Sequence, residues 1–288
     1  MKTTCQFKIH KNERFYRTIM YIVSAFAYVG LILFLLNASK PTLTAMGVFG
    51  LYGLAFLLFT LCMHIYLIGY IKGSGVQVNE KQFPEAYAIL KAQSEKLGLA
   101  QVPAMYLLQS GGMLNAFATR FSGRNYVILY SDVLGAAYDE GMTAVAFIIG
   151  HELGHLKRNH VSLAKSIFTL PSKLIPFLGA AYSRACETTC DNIGYALCPE
   201  GAEKGMLILA AGRELYKKVQ VNELLAATRA EKGFAMWFAE VFSSHPPIVD
   251  RITHLQELAS EEVVFKSSTV VQEQAQHDES SQQPPASL

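Results

Sequence analysis

At 288 residues, with 51% hydrophobic and only 17% charged side chains, the chain is too apolar for an average soluble domain. Its net charge of +2 is too small to argue for a nucleic-acid partner, so membrane segments are expected instead. Five cysteines, Cys5, Cys62, Cys186, Cys190 and Cys198, show no disulfide-framework spacing and fit a reducing compartment.

Residues 1–17 form a basic N-terminus with Lys2, Lys8, Lys11, Arg14 and Arg17. Thr18 to Leu36 then carries no charge, and Leu43 to Ile71 has His64 as its only histidine or charged residue. Both runs suffice against the ~20 residues needed to cross a bilayer. The short connection through Lys40 and Pro41 predicts an antiparallel transmembrane hairpin over 18–71, with spans at 18–36 and 43–71. The first run lacks a small-x-small cleavage site and a second span follows at once, so it reads as an anchor and not a signal peptide. The positive-inside rule puts the N-terminus in the cytoplasm, and two crossings return the remainder there, as expected for a multi-pass protein of a bacterial inner membrane. His64 reads as a partnered packing residue before a functional intramembrane group.

Residues 73–266 have the pattern of one α+β domain, and residues 267–288 that of a disordered tail. Pro84 opens an amphipathic helix that Gly98 closes. Strands are predicted at 104–109, 115–119 and 126–130, with turns at 110–112 and 122–124, and helices from Asp132 almost to the end. The apolar run 167–182 is broken by Pro171, Lys173 and Pro176, which predicts a segment on the membrane surface or against the hairpin.

The chemistry is concentrated in His151-Glu-Leu-Gly-His155. On a helix, residues four apart share a face, so both imidazoles can address one Zn²⁺ while Glu152 serves as general base. The preceding Met142 to Ile149 is helix-core material, and Asp139 or Glu140 can serve the helix start. A zinc site needs a third protein ligand. A histidine six residues after His155 is excluded, because Val161 stands there and Arg158 replaces the turn glycine. His160, one residue early, reads as a supporting residue. Glu187 with Asp191 four residues on offers the other solution, Glu187 as third ligand and Asp191 fixing a ligand imidazole. Cys186 and Cys190 read as small packing residues, with a separate zinc site as the alternative.

HELGH, a later Glu-x-x-x-Asp and an N-terminal hairpin together resemble the HtpX-like and Ste-type family of integral membrane zinc peptidases. Leu114-Asn-Ala-Phe-Ala118, Ser183-Arg184 and Ser244-His-Pro-Pro-Ile-Val-Asp-Arg-Ile252 extend the resemblance. It implies a zincin-like gluzincin domain with one Zn²⁺, acting on protein or peptide substrates, in which Asn115, Ala116 and Phe117 add substrate to the sheet edge. It also implies His245 and Arg251 near the scissile carbonyl, against the simpler reading that Pro246 and Pro247 start a helix. HtpX itself has two more spans between the zinc helix and the ligand Glu; the stretch from Leu156 to Cys186 is too short for them. The expected activity is zinc-dependent endopeptidase cleavage of membrane or misfolded proteins, with a non-proteolytic membrane chaperone as the alternative. Oligomeric state is not legible.

Overall fold

A computed structural model describes residues 5–109 and 115–261; the expected turn at 110–112 and the tail at 267–288 lie outside them. Two long apolar helices come first, α1 (Lys11–Asn37) and α2 (Lys40–Ser74). With mean hydropathies of 2.5 and 2.1 and little of either buried, they have the length and character of membrane spans. At 1.5 Å per residue α2 is about 52 Å long, well beyond a ~30 Å hydrocarbon core. Its surplus turns serve the domain: Ile68 and Ile71 are buried against one face of the sheet with Leu108, Tyr126 and Ile128. His64 is a packing residue here, with Nε2 3.2 Å from the Arg120 carbonyl and its ring beside Phe121.

The sheet is mixed. Strands β1 (Val76–Val78), β2 (Ala104–Leu108), β3 (Ala116–Phe121) and β4 (Arg124–Tyr130) lie in the order β1-β2-β4-β3. The β2/β4 pair is parallel and the outer two pairs are antiparallel. Ser122 and Gly123, both at positive φ, make the tight turn that pairs Phe121 with Arg124. Period-2 alternation serves two layers: Met105, Val127 and Leu129 face the main core, while Leu108, Tyr126 and Ile128 face α2. Strand β1, of three residues, was not expected from the sequence.

Between β1 and β2 runs α3 (Pro84–Lys96), ended by Gly98 at φ +63°. After the sheet, the chain continues as α4 (Ser131–Glu140), α5 (Thr143–Lys157), α6 (Leu163–Phe168), α7 (Leu170–Lys173), α8 (Leu178–Leu197), α9 (Ala202–Leu215), α10 (Val221–Ala230) and α11 (Phe234–Phe242). A last helix, α12, runs from 248 to 261. Asp139 and Glu140 belong to α4, so neither starts α5; Gly141 at φ +97° separates the two helices and Met142 is the α5 N-cap. The break between 167 and 182 is a pair of short helices and a turn packed on α1, since prolines 171 and 176 interrupt any longer helix.

The centre of the domain is α5, buried at every residue from Ala144 to Gly154. It packs chiefly on α8, and two glycines let the backbones approach. A Cβ on Gly154 would lie 3.2 Å from Cys190 Sγ, and one on Gly194 would lie 3.0 Å from both the ring and the carbonyl oxygen of Phe147. The Gly194 contact is partly with backbone, which cannot turn aside. Gly194→Ala should therefore cost about 1–3 kcal/mol, read as a fall of several degrees in the thermal unfolding midpoint in detergent.

Helix α1 is fastened to this pair by a buried carboxylate. Glu13, fully buried, accepts two hydrogen bonds from Arg158, at 3.2 Å from Nε and 2.8 Å from Nη2, and lies 3.7 Å from Arg17. Ahead of it, Asn192 donates to the Lys8 carbonyl and the His10 amide donates to Thr189 Oγ1. The segment before the first span and the domain after the second thus pack together.

Candidate active site

On α5, His151 and His155 stand one turn apart, and α8 crosses close enough to bring Glu187 between them. His151 Nε2 lies 3.3 Å from His155 Nε2 and 3.3 Å from Glu187 Oε2, and His155 Nε2 lies 3.3 Å from Glu187 Oε1. Zinc bonds of about 2.0–2.1 Å at tetrahedral angles separate neighbouring donors by roughly 3.3 Å, so this triangle has the size that the ion requires. Its chemistry, two imidazoles and a carboxylate, also fits, and the group is buried except for part of His155.

Charge is arranged in layers behind the triangle. Asp191, one turn after Glu187 and 1% exposed, accepts from His151 Nδ1 at 2.9 Å, which turns Nε2 toward the other donors. Arg251 from α12 grips the same carboxylate with Nε at 2.8 Å from Oδ2 and Nη2 at 2.6 Å from Oδ1. Burial raises the Asp191 pKa, but the Arg251 charge and hydrogen bonds, with that of His151, hold it below the usual carboxylate range. Burial likewise opposes ionisation of Glu187, and hydrogen bonds from His151 and His155 overcome it, keeping Glu187 far below the carboxylate range. For His151, burial lowers the pKa while hydrogen bonds and charges of Asp191 and Glu187 raise it, to about 10. A cation taking that place must displace a proton. Zinc binding at pH 8 should therefore release about one proton, read from the buffer dependence of the calorimetric heat; no release would contradict the protonated His151.

His160 stands on the far side of His155. Their Nδ1 atoms are 3.2 Å apart, and His160 Nε2 lies 3.4 Å from Glu13 Oε1, so the chain His155–His160–Glu13 ties the site to the first membrane helix. Cys190 Sγ is 3.7 Å from His160 Nδ1, which makes His155, His160 and Cys190 a second trio of metal-capable side chains. Burial pushes the Cys190 thiol well up and the Cys186 thiol to about 12, so both are neutral and apolar in character.

The donors open into a cleft of about 270 Å³ lined by Glu152, His245, Arg251 and residues 115–118, among others. Glu152, 7% exposed, lines this cleft beside His151. Strand β3 is the terminal strand of the sheet, paired among the described residues with β4 alone, and its start forms one wall. Leu114 of the sequence motif lies outside the described residues. His245 sits at the mouth, 65% exposed, with Nε2 3.6 Å from Glu187 Oε1. Arg251 reaches the cleft as well, but its guanidinium is committed to Asp191.

Sequence reading missed Val161 and Leu209, apolar residues that line the cleft without belonging to a motif. It named Arg184 as part of a motif but gave it no role; its Nη1 donates to the carbonyls of Glu240 at 2.7 Å, Val241 at 3.2 Å and Ser243 at 2.8 Å. One side chain on the Glu187 helix thereby clips the end of α11 and the His245 loop.

A protease HtpX homolog of Bifidobacterium longum is 24% identical over 234 residues, covering 64% of this chain and 74% of that protein. The plastoglobule-localized metallopeptidase 48 of Arabidopsis thaliana is 29% identical over 176 residues, covering 55% of this chain and 49% of that protein. The crystal structure of S. mikatae Ste24p gives a TM-score of 0.45 at 14% identity, covering 86% of this chain and 67% of that one. The model of peptidase family M48 matches residues 80–172 and 162–259, together more than half of the chain and the whole of the site just described. With that match and two helices of membrane-spanning character, the chain belongs to peptidase family M48 and is a membrane metallopeptidase.

Proposed function

We propose that this protein is a zinc metalloendopeptidase that cleaves extended segments of membrane or misfolded proteins beside the bilayer. The observation that carries this reading is the donor triangle of His151, His155 and Glu187 with Glu152 in the same cleft. When bound by these three residues, zinc acidifies water and polarises a carbonyl. Glu152 takes the proton of the attacking water and passes it to the leaving amine. Asp191 fixes the His151 tautomer, and Arg251 acts through Asp191, holding it ionised and in place. His245, at the mouth, is the group free to donate toward the developing oxyanion. The open edge at Asn115, Ala116 and Phe117 pairs with substrate backbone, which selects extended chain over a particular sequence.

We assign residues 1–17 to a basic N-terminus, 18–71 to the spanning hairpin, 73–266 to the peptidase domain and 267–288 to a tail. Packing of residues 5–10 on α8 supports both ends of the hairpin lying on one side of the membrane. The basic residues before α1 favour the cytoplasm for that side, as in a bacterial inner membrane. Purified protein in detergent should degrade unfolded casein, lose that activity to a zinc chelator and regain it with added Zn²⁺. Casein left intact under all three conditions, but bound, would favour the chaperone reading.

A further inference from the structure

Helix α11 has the sequence Phe-Ala-Met-Trp-Phe-Ala-Glu-Val-Phe and no buried residue. Phe234, Trp237, Phe238 and Phe242 recur at helical spacing and all stand largely exposed. Their rings touch in series, Phe234 against Trp237 and Phe238, and Phe238 against Phe242 at 4.8 Å. So large an aromatic surface left open on a folded domain marks an interaction site.

The surface does not stop at α11. Phe242 meets Phe177 at 4.9 Å, and Phe177 ends the turn whose Leu174 is 81% exposed. This turn follows α6 and α7, and Phe168 of α6 packs its ring against Tyr21 and Tyr28 of α1, while the Tyr28 hydroxyl donates to the Ile167 carbonyl at 2.9 Å. Tyr21 and Tyr28 lie inside the uncharged run that begins at Thr18. Tyr28 is about 15 Å along the helix from that start, some half of a hydrocarbon core. The apolar strip is therefore continuous with a spanning helix at lipid depth. At its other end, Glu240 of α11 and Tyr16 of α1 line one cavity, which sets the last turn of α11 level with the beginning of the apolar run. Arg17, Lys165 and Lys173 surround a cavity at the margin of the strip, where anionic headgroups would meet them. A tryptophan among phenylalanines also suits the apolar face of a helix lying in the bilayer interface.

We propose that α11 is seated in the headgroup–acyl boundary of the bilayer, with the apolar 163–177 segment reaching from it along α1 into the acyl region, as a third, non-spanning membrane attachment. This placement needs the two spanning helices but none of the peptidase chemistry. It has a consequence for the cleft, because Arg184 clips the end of α11 to the Glu187 helix and the next residues carry His245. One wall of the cleft is thus held at the membrane surface, where an emerging membrane-protein segment would first be met.

Trp237 is the only tryptophan of the chain, so emission of the full-length protein excited where tyrosine does not absorb reports on α11 alone. In phosphatidylcholine vesicles, phospholipids brominated near the headgroup end of the acyl chain should quench more than half of that emission. Bromines near the methyl end should quench less, and iodide on both sides of the membrane should quench little. Strong iodide quenching with no effect of bromolipid would put α11 in water, and quenching by neither would mean that a second copy or another protein covers it; both overturn the proposal, as does strongest quenching from the methyl end. Phe168→Trp in a Trp237→Phe background tests the other end of the strip, where bromolipid quenching is again expected and iodide quenching would overturn the continuity. None of these readouts depends on peptide cleavage, so failure here and failure of the peptidase reading are distinguishable.

Discussion

Glu152→Gln should lower peptide cleavage by about 10²–10⁴-fold while zinc content and fold stay unchanged. Glutamine keeps the size and hydrogen-bonding reach of the side chain but cannot accept the proton of the attacking water. Its position favours a chemical effect over a structural one: Glu152 is on the buried α5, between the two donor histidines in sequence, and faces the cleft. A ligand or packing role would show differently, as zinc loss or a lowered unfolding temperature. The measurement pairs casein turnover with metal analysis of the same preparation. Equal turnover by wild type and variant would remove Glu152 from the mechanism, and zinc loss alongside activity loss would make it a support of the metal site.

The sequence made α5 and its histidines legible because helical spacing alone places His151 and His155 on one face, and the same rule linked Glu187 with Asp191. That these two pairs meet rests on the close approach of α5 and α8 at Gly154 and Gly194, a packing fact that no local pattern encodes. Glu13 shows the limit more sharply. In the sequence it is one charge in a basic N-terminus, and only the fold sets it, fully buried, against the partly buried Arg158 and His160. Arg251 was expected beside the scissile bond from a resemblance; its bidentate grip on Asp191 depends on how α12 returns across α8. Phe234 to Phe242 carried no expectation beyond a helix, since an apolar aromatic run looks the same in sequence whether or not anything covers it. The mixed sheet was readable at three strands, and β1 was lost because three residues are too few for a period-2 signal.

Glu187→Ala should abolish stoichiometric zinc binding, and Asp191→Asn should only weaken it, by about 10–100-fold. The difference follows from what each carboxylate faces. Glu187 supplies a corner of the 3.3 Å triangle, and without it two imidazoles are too few for a stable site. Asp191 reaches the triangle through His151 Nδ1, so neutralising it loosens the imidazole and removes the charge opposite Arg251 without removing a donor. The Asn variant should consequently lose more fold stability than metal affinity, because Arg251, only 10% exposed, loses its bidentate partner and keeps only the Glu187 carboxylate at 4.0 Å. Titration against a competing chelator, with thermal unfolding of the same samples, separates the two effects. The opposite order of affinities would transfer the third corner away from Glu187. Stoichiometric zinc retained by Glu187→Ala would point to the trio of His155, His160 and Cys190, despite a thiol that burial keeps protonated. Adding Cys190→Ser would decide that outcome, since serine removes the sulfur while leaving the Glu13–His160–His155 chain intact.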